Sequence, residues 1–188
     1  VTLPRPPPLL RARHDHAAGR TDAAELRGIE DEAIREIVRR QEEVGLQSAT
    51  DGEFRRASWH MDFIYQLGGV GKSDETLRIE MHNDKEEIAF ETAALQIGKL
   101  SLPKTIFADA FTFLKHTTTL TPKQTIPSPS MVHYRGGPAA IDKSVYPTMD
   151  EFWDDLSAAY AKEVAGLADL GCTYLQFDDT SLAYLNDP

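Results

Sequence analysis

Cysteine is almost absent from this chain: Cys172 stands alone among 188 residues, so no intramolecular disulfide can form and a disulfide-stapled secreted scaffold is excluded. No run of 18 apolar residues and no signal-peptide pattern is visible, which points to a cytoplasmic protein with no membrane contact. Basic residues are also in short supply. Lys and Arg number 20 against 30 acids, for a formal charge of -10. A general nucleic-acid binder needs the opposite surplus to neutralise phosphates, so nucleic acid is not an expected partner. The chain carries no close internal repeat and no low-complexity tract beyond a short proline-rich start.

Apolar residues make up 41 % of the sequence, enough for a real core, and the length suggests a single domain over residues 1–188. Prolines at 4, 6, 7 and 8 predict an extended lead-in followed by a short helix over Leu9–Ala18. Asp22 with Glu25 resembles a capping box. Leu26, Ile29, Ala33, Ile37 and Val44 then form one stripe at helical spacing, ended by Gly45. A strand over Leu46–Thr50 follows and delivers Asp51 and Glu53 at its carboxyl end.

Gly68, Gly69 and Gly71 suggest a flexible connection, and Thr76–Met81 and Glu86–Glu91 flank the turn-forming Asn83-Asp84-Lys85, the pattern of a β-hairpin inserted near residues 76–91. Thr105–Ala108 and Lys123–Ile126 read as strands, with a helix from about Ala110 to His116 between them. Thr148 with Glu151 opens a further helix whose buried face is Phe152, Leu156, Ala159, Tyr160 and Leu167, closed by Gly171. Thr173–Phe177 is apolar enough for a strand buried on both faces, as in a parallel sheet, and Asp178-Asp179 closes it.

A helix, a glycine, a short strand and terminal acids thus occur twice, with another strand-to-helix unit between. Such an order predicts parallel strands with their acids on one edge, where α/β folds bind ligands. The densest chemistry lies in Thr50–Phe63, which gathers Asp51, Glu53, Arg55, Arg56, Trp59 and His60 within a few residues. Glu53 and Asp178 are the leading candidates for one shared site. Blander roles compete: Glu53 pairing with Arg55 or Arg56 on the surface, Asp179 capping a turn, His60 as a polar loop residue, Trp59 and Phe63 as core. His14 and His16 are two residues apart on a helix and share no face, which reads as solvent exposure rather than metal binding. Cys172 reads as a small buried residue.

Four segments carry a resemblance: Leu3-Pro4-Arg5-Pro6, Thr50-Asp51-Gly52-Glu53-Phe54-Arg55-Arg56, Thr125-Ile126-Pro127-Ser128-Pro129-Ser130-Met131 and Tyr174-Leu175-Gln176-Phe177-Asp178-Asp179. In this order and spacing the chain resembles the cobalamin-independent methionine synthase family, its carboxyl-terminal catalytic barrel and short stand-alone relatives. The resemblance implies an α/β fold of (β/α)8 TIM-barrel type, here incomplete, covering about strands 1 to 5, since a whole barrel takes about 250 residues. It implies methyl transfer of the 5-methyltetrahydropteroyltriglutamate–homocysteine S-methyltransferase type, in which a zinc-bound homocysteine thiolate attacks the methyl group of a folate.

By the same resemblance, Glu53 and Asp178 hold the homocysteine amino group and Thr2 lies near a family serine that meets the amino-acid carboxylate. Arg56, Trp59, His60 and Asp179 are further substrate-binding candidates. The family's metal ligands, a His-x-Cys pair, a Glu and a final Cys, belong to later strands, so zinc ligands are expected beyond residue 188 and none in this chain. Ala57-Ser58 replaces the family's Asn-Asp near the pterin, which leaves open whether methyl-folate is the co-substrate. Other readings are a different thiol transferase or a decarboxylase of the same superfamily, or a non-catalytic module. A homo-oligomer or a complementing carboxyl-terminal segment would complete the barrel, because an open strand edge invites pairing.

Overall fold

The computed structural model describes residues 2–82, 87–134 and 136–180. Pro7 and Pro8 do not precede the first helix; they open it. Helix α1 spans Pro7–Ala17 with proline in its first positions, where a missing N–H is harmless and the fixed φ suits the helix. Helix α2 spans Ala23–Glu43, and the Asp22 side chain accepts from the Glu25 N–H at 2.8 Å, as its sequence predicts. Strand β1 is only Ser48–Ala49, shorter than the expected Leu46–Thr50. A short helix α3 (Met61–Ile64) follows, then strands β2 (Gly68–His82) and β3 (Glu87–Ser101). Helix α4 is Ala108–Thr117, β4 is Thr121–Pro127, α5 is Ser130–Tyr134, α6 is Met149–Asp169 and β5 is Tyr174–Asp178.

Two compact units divide the chain. The first comprises Val1–Asp62, Phe107–Ile126 and Gly166–Phe177. It contains most of a three-stranded sheet in the order β1-β4-β5, with β1 parallel to β4 through Ser48 opposite Thr121 and Ala49 opposite Pro122. Leu9, Ile34, Val38, Ala49, Phe54 and Leu114 form its core, joined by the partly buried Leu26, Ile29, Ala33 and Ile37. The buried line of α2 is Glu30, Ile34, Val38 and Gln41, rotated from the expected stripe, and Val44 is 74 % exposed. Partnered polar groups at both ends explain the rotation. Arg13 and Arg55 meet Glu30 at 3.0 and 3.3 Å, and Gln41 bonds to the Thr50 backbone. A hydropathy pattern is blind to polar residues whose burial is satisfied.

The second unit comprises Phe63–Ile106, Pro127–Ala165 and Asp178–Pro188. Its hairpin pairs β2 antiparallel to β3 in register from Gly68 opposite Ser101 to His82 opposite Glu87. Gly68, Gly69 and Gly71 are therefore part of a strand and not a flexible connection; the register shifts between Gly68 and Val70. Gly69 has φ 86, and a Cβ there would lie 2.1 Å from the Lys99 carbonyl oxygen, so the bulge demands glycine. The expected turn at Asn83-Asp84-Lys85 falls outside the described residues. Phe152, Leu156, Ala159 and Tyr160 are buried as anticipated.

Two expected strands are corrected. Thr105–Ala108 is a turn running into α4, because Phe107, Phe111 and Leu114 already share helical spacing and the Phe111 N–H donates to the Phe107 carbonyl at 2.8 Å. Strand β5 forms, but it is not buried on both faces: Tyr174 and Phe177 are 41 % and 44 % exposed. Among the described residues β5 is an outer strand of its sheet. Cys172 is half-buried rather than buried; burial pushes its thiol up and keeps it protonated at neutral pH.

Candidate functional site

The site in the first unit is built on the turn after β1. Gly52 and Glu53 are consecutive left-handed residues, with φ 67 and φ 60, and Glu53 is the one non-glycine residue with positive φ among the described residues. A left-handed non-glycine residue costs on the order of 1–3 kcal/mol and persists where its surroundings hold it. Here they do. The Glu53 N–H donates to Asp51 Oδ1 at 2.8 Å, and Arg5 Nη2 donates to the Glu53 carbonyl at 3.1 Å and the Arg56 carbonyl at 2.6 Å. The Leu3 N–H donates to the Gly52 carbonyl at 3.1 Å, docking the Leu3-Pro4-Arg5-Pro6 segment on the turn.

This conformation sends the Glu53 side chain inward, where the residue is 1 % exposed. Its Oε1 accepts from Thr125 Oγ1 at 2.8 Å and from Arg56 Nη1 at 3.4 Å, and its Oε2 accepts from the Thr2 hydroxyl. Burial opposes ionisation of Glu53, but the Thr2 hydroxyl, the Arg56 guanidinium and the Thr125 hydroxyl together outweigh it, and the carboxyl titrates below its ordinary range. Glu53 is thus a buried carboxylate kept ionised at neutral pH. The surface pairing with Arg55 does not occur. Arg55 instead meets Glu30 and Asp31, while its guanidinium lies 4.7 Å from the centre of the Phe113 ring.

Arg56 is also interior. Its Nη2 donates to the Thr125 carbonyl at 2.7 Å, its Nη1 to the Trp59 carbonyl at 3.2 Å, and its guanidinium stacks over the Phe107 ring at 4.1 Å. It ties the turn to β4. Trp59 and His60 pack ring to ring at 4.5 Å, and His60 Nδ1 lies 3.2 Å from Ser58 Oγ. Asp62 accepts from the Ala57 and Ser58 N–H groups at 2.7 and 3.2 Å, closing the 57–62 loop on itself.

Asp178 and Asp179 belong to the second unit, and there Asp178 is tied through its backbone. The Ser128 N–H donates to the Asp178 carbonyl at 3.0 Å. Asp179 Oδ1 accepts from Ser130 Oγ at 2.9 Å, and Ser130 Oγ is 2.7 Å from Ser128 Oγ. With its proton directed to Asp179, Ser130 is left as acceptor for Ser128. Tyr160 donates to the Pro127 and Ser128 carbonyls at 3.0 and 3.2 Å, fixing the same loop from α6. Phe63 packs on Tyr160 at 5.4 Å and is fully buried, so it is core and not a ligand wall. His14 and His16 are exposed, as their spacing predicts.

Sequence reasoning missed Gln41, Thr125 and Arg5. For Gln41 a signal existed: it sits seven residues from Ile34 and three from Val38, a polar residue on an apolar helical face. A groove of about 690 Å³ lined by Arg27, Arg35, Phe113 and His116, among others, includes none of the candidate residues. Among the described residues no group of three or more His, Cys, Asp or Glu is placed to hold a metal ion, so the groups present do not fit a zinc site.

The family model for the cobalamin-independent synthase catalytic domain matches residues 3–185. The chain belongs to that family. Two uncharacterized Bacillus subtilis (strain 168) proteins are similar: YxjH is 40 % identical over 182 residues, covering 96 % of this chain and 46 % of its own length. YxjG is 38 % identical over 185 residues, covering 97 % and 47 %. A Listeria monocytogenes structure, provisionally assigned as a vitamin-B12-independent methionine synthase, aligns with TM-score 0.80 at 37 % identity over 100 % of this chain and 52 % of its own. A B12-independent methionine synthase from Shewanella sp. W3-18-1, in complex with selenomethionine, aligns with TM-score 0.64 at 21 % identity over 89 % and 48 %; it speaks to the fold alone. This cobalamin-independent synthase domain therefore has the α/β, TIM-barrel-type fold of the methionine synthase catalytic domain, and it spans about half the length of the relatives it matches.

Proposed function

We propose that this chain provides the amino-group recognition of a methionine-synthase-type methyl transfer to the homocysteine sulfur. The observation that carries the reading is the Glu53 carboxylate: it is buried, it is held ionised, and it follows β1 of a parallel sheet. An ammonium leaving water needs such a partner, and a buried carboxylate discriminates against thiols that lack the charge. Asp178 is the second amine-binding carboxylate in this reading, and the Ser128–Ser130–Asp179 chain steadies the loop around it. Thr2, whose hydroxyl donates to Glu53 Oε2, is the proposed contact to the substrate's carboxylate. Arg56 acts through Glu53, while Trp59 and His60 supply a flat wall.

In the reaction class, a sulfur–methyl bond forms as the donor's nitrogen–methyl bond breaks, and the released nitrogen takes a proton. Glu53 holds the substrate and transfers no proton. Zinc would activate the thiol, but since the described residues do not make a zinc set, none of these steps is assigned to it. Methyl-folate is the proposed donor, the cytoplasm the proposed location, and a complementing segment or second copy of the chain the proposed partner. Calorimetric titration with homocysteine tests the reading. Glu53→Gln and Asp178→Asn should each weaken binding by roughly ten-fold or more, the worth of a hydrogen bond to a charged group. Wild-type affinity in both variants would overturn it.

A further inference from the structure

Among the described residues strand β1 is paired with β4 at Ser48 and Ala49, and the turn that carries the left-handed Gly52 and Glu53 follows directly. Thr50, between the two, is held by a helix side chain: Gln41 Nε2 donates to the Thr50 carbonyl at 2.8 Å, and Gln41 Oε1 accepts from the Thr50 N–H at 3.0 Å. The primary amide reproduces the donor and acceptor of a neighbouring strand at one residue. Gln41, Thr50 and Asp51 are 8 %, 8 % and 5 % exposed, so water does not compete freely for these bonds. Asp51 then accepts the Glu53 N–H in an Asx turn, a local bond that favours left-handed backbone in the residues it spans.

We propose that Gln41 and Asp51 are positioning residues that hold Glu53 in its left-handed conformation and thereby aim its carboxylate at the ligand ammonium. Neither side chain touches the ligand in this arrangement. Gln41 fixes where the turn begins, and Asp51 fixes the backbone rotation at Glu53. Without them Glu53 relaxes toward ordinary φ and withdraws from Thr125 and Arg56. The inference rests on the amine-binding reading, but its structural half can be measured without any ligand.

The test uses the full 188-residue chain and its Asp51→Ala, Asp51→Asn and Gln41→Met variants. The first readout is a carbon-13 titration of the Glu53 side-chain carboxyl in the unliganded protein. Removing the Asp51 charge alone would lower the Glu53 pKa, whereas loss of positioning raises it toward the ordinary value, so the two effects have opposite signs. Asp51→Ala and Gln41→Met should move it up. Asp51→Asn, which keeps an acceptor oxygen but no charge, should not.

The second readout is the affinity ratio between homocysteine and 4-mercaptobutanoate, its analogue without the amino group. The ratio should fall at least ten-fold in Asp51→Ala and Gln41→Met and survive in Asp51→Asn. A lower melting temperature with an unchanged Glu53 titration and an unchanged ratio would reduce both residues to structural roles and overturn the inference. If wild type shows no preference for homocysteine, the amine-binding reading fails, while the titration still decides the positioning. Should Asp51→Ala not fold, Asp51→Ser, with a weaker acceptor, should give an intermediate upward shift; no shift overturns the inference.

Discussion

At the scale of single residues, the site depends on backbone geometry as much as on charge. Gly52 carries φ 67, and a Cβ there would meet the Phe54 ring at 2.9 Å and Leu3 Cβ at 3.2 Å. Gly52→Ala therefore combines left-handed strain with a contact that Phe54, 1 % exposed, has little room to relieve. The backbone term alone is about 1–2 kcal/mol, a fall in Tm of roughly 2–8 °C for a chain of this size; calorimetric melting would show it. Glu53 was legible in the sequence as an acid at a strand end. Its left-handed backbone was not, because a glutamate ordinarily avoids positive φ and the local Asp51 bond is joined there by a distant partner, Arg5, that the sequence does not reveal.

At the scale of elements, the long helices announced themselves, the short α3 and α5 did not, and strands did so unevenly. The periodicity of α6 and the cap at Asp22 are local signals, and both match. Helix α2 was found with its buried face rotated, since the burial of Glu30 and Gln41 depends on partners outside the helix. The hairpin was recognised from the turn-forming triplet between its two segments, but its glycine-rich beginning read as loose linker. Glycine signals both a flexible linker and a bulge where two backbones approach; the sequence alone does not separate them. Gly69→Ala should destabilise the hairpin, because the added methyl meets the Lys99 carbonyl rather than a movable side chain. Hydrogen exchange should then show faster exchange at Val70 and Ile97, a paired position in β2 and β3, with α2 amides unaffected.

At the scale of the whole molecule, the acidic balance and the family's small-molecule chemistry agree, and no described helix is long and apolar enough to cross a membrane. Glu53 makes one contribution to the pH dependence of folding. Its folded pKa lies below the ordinary value of 4.5, so its stabilisation is fully present above that value and is lost as pH falls through the depressed folded pKa. Chemical denaturation of wild type and Glu53→Gln should give a stability difference that is constant above about pH 5 and shrinks on further acidification. A constant difference down to about pH 3 would mean that the Glu53 pKa is not lowered on folding.

The central claim is that the Glu53 carboxylate, buried and bonded to Thr125 and Arg56, receives a ligand ammonium. Its most direct measurement is the calorimetric affinity of wild type for homocysteine beside that for 4-mercaptobutanoate, repeated with Glu53→Gln. The account predicts that wild type prefers homocysteine by roughly ten-fold or more and that the preference disappears in the variant. Equal affinity of wild type for both compounds, or a preference that survives Glu53→Gln, would contradict it.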